Sequence, residues 1–148
     1  MDYNPLGKPS LLTRIAVGKG IGLIFGLLGF FLTPVLYPDI GLFTRIGILL
    51  WYPTMGAMIG MFGVMNWHPL IHLPLPWWFR ATVIGGWMNL VLVFFAHAEV
   101  SAVMASAFGI EASPFWLVAE GGLVGALIGY VATKAGGEGP DTVEVFEH

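Results

Sequence analysis

The chain reads as an all-α integral membrane protein, with four transmembrane helices in an antiparallel bundle and both termini in the cytoplasm. Three observations lead there. Of 148 residues, 57% are hydrophobic and only 10% charged, where an average soluble domain carries about 25% charged residues. Mean hydropathy is +0.82. The apolar residues fall into four blocks of roughly 18–20, the length a helix needs to cross a hydrocarbon layer of about 30 Å.

The blocks run from 20 to 37, 46 to 65, 79 to 98 and 115 to 133. Lys8, Arg14 and Lys19 precede the first, as they would a secretory leader. The block is long for such a leader, however, and "YPDIGLFT" offers no small-x-small cleavage site, so it is expected to be a retained span. Ser10 in "KPSLLTRI" is a candidate N-cap for a short surface helix leading into it. In the second block, Pro53 removes one backbone hydrogen bond, and Thr54 is placed to re-satisfy the freed carbonyl. Ser113 and Pro114 in "SPFW" suit the cap and first position of the fourth helix. After the third block, Val100, Val103, Met104, Ala107 and Phe108 keep helical spacing up to Gly109, as expected of a helix that overruns the membrane or bends onto it. Residues 135–148 form an acidic, Gly-rich tail, read as a flexible end.

Orientation follows from the cations. An inside N-terminus puts Lys8, Arg14, Lys19, Arg80 and Lys134 on the cytoplasmic side and leaves Arg45 outside, with Asp39, Glu99 and Glu111. That bias matches the positive-inside rule and points to the cell's inner membrane.

"NWHPLIHLPLPWWFR" sets His68 and His72 four apart. Zinc needs more ligands than two imidazoles, no Asp, Glu or Cys lies nearby, and Pro74 and Pro76 stop any helix. The loop therefore reads as a membrane-surface crossing, with Trp67, Trp77 and Trp78 as interface anchors and Arg80 snorkelling to phosphates. The absence of cysteine excludes disulfides and thiol chemistry.

Small residues recur three or four apart: Gly121, Gly125 and Gly129 in the fourth block, Gly22, Gly26 and Gly29 in the first, Gly56, Gly60 and Gly63 in the second. Such stripes let helix backbones approach closely in lipid. They serve either packing within the bundle or a seam between copies. "LTRIA" (12–16) and "FTRIG" (43–47) resemble each other, but beyond them only Gly29/Gly60 and Phe31/Phe62 match. The pair reads as chance similarity between glycine-rich helices.

Polar groups inside spans are costly and mark function more often than most. Glu120, His97 and Asn89 are the candidates. Glu120 lies opposite the glycines of its helix, and similar depth in consecutive spans predicts that it meets His97. No nucleotide-binding, nucleophile-elbow or zinc motif is present, so an enzyme is not expected, nor a cofactor, a metal or a nucleic-acid partner. The functional expectation is a non-enzymatic integral membrane subunit or scaffold, bedded in membrane lipids and packing with other integral membrane subunits or with itself. The alternative is a small homo-oligomeric channel or a proton- or ion-coupled transporter using Glu120.

Overall fold

The computed structural model describes residues 9–143 and contains five α-helices. They are α1 (Leu11–Leu36), α2 (Leu42–Met61), α3 (Trp77–Phe95), α4 (His97–Phe108) and α5 (Trp116–Gly136). All but α4 are long and apolar enough to cross a membrane. Lys8 and residues 144–148 lie outside the described residues.

Ser10 caps α1, its side chain accepting from the Thr13 amide at 3.3 Å. The surface helix expected before the first span is continuous with it, because no breaker separates them: α1 runs unbroken for 26 residues. Pro34 in its last turn frees the Phe30 carbonyl. Arg45 Nε donates to that oxygen at 3.0 Å, and its guanidinium sits 4.2 Å above the Phe30 ring.

Pro53 is handled differently. It frees the Leu49 carbonyl, which lies against the α-carbon of Gly26; a β-carbon there would come within 3.2 Å of the Leu49 carbonyl carbon. The Thr54 hydroxyl bonds Leu50 O at 2.8 Å, one residue away from the carbonyl it was expected to satisfy. A neighbouring glycine backbone, not a hydroxyl, covers the gap.

The loop after α2 folds into a small hairpin, with Trp67 bridging Pro74. His68 Nδ1 accepts from the amides of Leu70 and Ile71, both at 3.2 Å, while His72 takes a positive φ of 51°. The His68 imidazole thus closes the turn. Helix α3 stops at Ala96 (φ −113°, ψ 32°), and α4 follows as a separate helix without a fully buried residue. At 19 residues α3 is ~28 Å long, enough to cross the hydrocarbon by itself. Helix α4 is tethered by the Ser106 hydroxyl, which donates to Leu36 O at the end of α1. Helix α5 begins at Trp116, later than the expected cap; the Ser113 hydroxyl accepts from Phe115 N, inside the turn before the helix.

Glycine contacts build two helix pairs. In the first, Gly18 meets Gly56, Gly22 meets the Tyr52 carbonyl, Gly26 meets Leu49, and Gly60 meets Arg14 and Ile15. In the second, Gly85 of α3 lies between Gly121 and Gly125 of α5, and Gly129 packs on Ala81. These are contacts within one chain, so Gly56 and Gly60 of α2 and Gly121, Gly125 and Gly129 of α5 face inward. Between the pairs sits a small core of Tyr52, Met55, Ile59, Ala81, Val124 and Ile128. Large apolar side chains cover the outside instead, among them Phe43, Phe94 and Leu123. An apolar exterior over a glycine-rich interior is what a lipid solvent selects.

Candidate functional site

Two polar clusters lie inside the bundle. The first joins α2, α3 and α5. Asn89, fully buried, sits at its centre. Its Oδ1 accepts from Trp51 Nε1 at 3.0 Å, and its Nδ2 donates to Leu117 O at 2.9 Å and to Glu120 Oε2 at 2.8 Å. The Tyr52 hydroxyl donates to the same Glu120 oxygen at 2.9 Å. Asn89 is held in place because Gly121 leaves room for its amide: a β-carbon at Gly121 would come 2.6 Å from Asn89 Cγ. Three helices are therefore tied through one amide and one carboxylate.

His97 is not part of this cluster. It is the first residue of α4, beyond the end of α3, with Ser101 Oγ 3.5 Å from its Nδ1 and the Phe115 ring 6.4 Å away. No hydrogen bond joins it to Glu120 among the described residues. The expected Glu120–His97 pair is replaced by Glu120 with Tyr52 and Asn89. The break at Ala96 carries His97 off the helix whose depth the expectation used. "WYP" carried the missed signal: two aromatics with polar tips, inside a span.

The second cluster closes the other end. Arg14 is only 1% exposed. Its Nε donates to Gly60 O at 3.0 Å, and its Nη1 donates to Thr133 Oγ1 at 3.1 Å and to Gly137 O. Gly60 belongs to the last turn of α2, and Gly137 caps α5. The guanidinium thus faces the negative ends of two helices, an electrostatic environment that favours a cation. Gly63 and Gly136 flank it, leaving space that side chains would fill.

Arg80 is also buried, at 7% exposure. It donates to Leu75 O and forms an ion pair with Glu138 at 2.8 Å. The snorkelling expected of Arg80 is therefore corrected: the first residues after α5 turn back and supply a carboxylate, so the cation has no need of a lipid phosphate. The segment is anchored further by Gly139 N to Gly63 O at 2.8 Å and by the buried Thr142, whose hydroxyl bonds Gly139 O at 2.7 Å. Read from composition as flexible, the tail is packed as far as Thr142.

The repeated Thr-Arg-Ile segments also do equivalent work. Arg14 of α1 caps a carbonyl near the end of α2, and Arg45 of α2 caps one near the end of α1. Trp67 and Trp78 are exposed, while Trp77 packs on Tyr130 with ring centroids 5.6 Å apart. No group of three or more His, Asp or Glu placed to hold a metal ion occurs among the described residues.

These features define an all-α protein with four helices able to cross a membrane, pinned together by two internal polar clusters. No family model, curated protein or solved structure matches the chain.

Proposed function

We propose that the protein is a non-enzymatic subunit or scaffold of a larger assembly in the cytoplasmic membrane, with four antiparallel spans and both ends in the cytoplasm. The antiparallel reading is supported by the glycine register, in which contacts climb α1 from Gly18 to Gly26 while descending α2 from Gly56 to Leu49. The Arg14–Arg80–Glu138 cluster suits the cytoplasmic end, where cations concentrate. A reporter fused at Gly109 should be active only outside the cytoplasm; cytoplasmic activity overturns the topology.

The observation that carries the functional reading is the placement of Glu120 Oε2. It takes two hydrogen bonds from side chains on two other helices. An apolar depression of about 390 Å³ is lined instead by Met104, Phe108, Ala112 and Trp116, without a charged residue. The intramembrane carboxylate is thus spent on holding helices together. Glu120→Gln keeps an acceptor for Tyr52 and Asn89 and should leave folding within about 1 kcal/mol, whereas Glu120→Leu strands both donors and should cost on the order of 0.6–2 kcal/mol. Thermal unfolding in detergent measures both.

Purification in mild detergent with mass analysis tests the class. Co-purifying foreign subunits are expected. A lone homo-oligomer that carries protons or ions in liposomes, and loses that activity in Glu120→Gln, would establish the rival transporter reading.

A further inference from the structure

Between Met65 and Phe79 the chain carries no Asp, Glu, Lys or Arg. It closes into the hairpin described above, paired across Trp67 and Pro74. The hairpin answers its amides from within. His68 N donates to Leu73 O at 2.9 Å, His72 N to His68 O at 3.0 Å, and Leu75 N to Asn66 O at 2.9 Å. At the tip, His68 Nδ1 takes the amides of Leu70 and Ile71. An accepting nitrogen carries no hydrogen, so the ring enters the turn without charge. Pro69 and Pro74 have no amide to satisfy.

The apolar side chains are turned outward. Leu70 is 82% exposed and Ile71 59%, and Trp67 and Leu73 are also open. Water would solvate open amides, and a protein partner offers donors and acceptors of its own. Hydrocarbon offers neither, and backbone placed in it must be satisfied internally. A charge-free turn with closed amides and a bare apolar tip is therefore suited to lipid. Its base stands at the matching depth. Met65 and Leu75 line one depression with Phe79, Val83 and Ile84, and Leu75 O accepts from Arg80. The hairpin thus springs from beside the first two turns of α3.

We infer that residues 66–75 form a wedge whose tip, Leu70 and Ile71, is sunk below the lipid headgroups, with His68 as the residue that positions it. The expectation from sequence was a loop at the membrane surface, anchored by tryptophans. The wedge reaches deeper, and an imidazole holds its shape. It presupposes that the long helices span the membrane, which the experiment tests separately.

The chain contains no cysteine, so a single nitrobenzoxadiazole label can be placed on the full-length protein in phosphatidylcholine vesicles. Labels at Leu70→Cys and Ile71→Cys should be quenched by acyl-chain nitroxide lipids at least about threefold more than one at Asp39→Cys, in the exposed turn between α1 and α2. Iodide should show the opposite order. Leu28→Cys, exposed on α1, should be quenched by the lipid nitroxide as strongly as the tip. In the Ile71→Cys background, His68→Ala strands two amides and should cut lipid quenching roughly threefold, with helical circular dichroism unchanged. His68→Asn, whose Oδ1 takes the place of Nδ1, should restore it. Lipid quenching at Leu28 but not at Leu70 and Ile71 refutes the wedge and leaves the spans standing. None at Leu28 refutes the spans and the wedge with them. Unchanged quenching in His68→Ala removes His68 from its role. Protection of position 71 from iodide in native membranes, but not in lipid-only vesicles, would assign the tip to a protein partner and overturn the inference.

Discussion

Arg14→Met is expected to destabilise the protein by about 2–4 kcal/mol, because buried acceptors left without a donor cost about 1–3 kcal/mol each. The guanidinium is the common partner of Gly60 O, Thr133 Oγ1 and Gly137 O, in the space that Gly63 and Gly136 leave open for it. Removal leaves the ends of α2 and α5 with unanswered acceptors. Arg14→Lys should recover only part of the loss, because one ammonium lacks the planar fork that reaches both helix ends. Lys19→Met, one turn on and exposed, should shift stability by no more than about 0.5 kcal/mol. Thermal unfolding in detergent, followed by size exclusion, ranks the three.

Gly22→Leu should cost more than about 3 kcal/mol or prevent folding, beyond the usual range of overpacking. A β-carbon at Gly22 would fall on the Tyr52 carbonyl and lie 2.9 Å from Pro53 Cα. The obstacle is backbone, which has no rotamer to change. It is also the backbone beside Pro53 that carries Tyr52, the donor to Glu120. The damage should therefore spread from the α1–α2 pair to the polar cluster, read as lost tryptophan fluorescence from Trp51 beside Asn89. Gly20→Leu is the control. Nothing lies within 4 Å of a β-carbon there, so its expected effect is small. Comparable loss in both variants would show that helix propensity, not the contact with α2, governs α1.

The contrast between Gly20 and Gly22 marks the limit of what pattern reading reaches. Both are glycines in one apolar helix. Composition and block length were enough for the four long helices, since a run of some 20 apolar residues must satisfy its own backbone wherever it sits. Ser10 as a cap was legible because capping is a contact three residues away. Pro53 was legible as a break in the ladder, although not what fills it.

The chain's own sequence thus determined the number and apolar character of the four long helices, both properties of local segments. Tertiary structure decided the partners. Glu120 bonds Tyr52 and Asn89 rather than His97 because rotation about each helix axis and the stop at Ala96 set which polar groups share a depth. Arg14 is buried rather than at the interface because two helix ends, 46 and 123 residues away in sequence, converge on it. Arg80 turns inward because the chain beyond α5 returns Glu138 to it. In each case the charge or hydrogen bond in the low-dielectric interior goes to the best-placed partner in space, and spacing along one helix carries no record of where a neighbouring helix will stand.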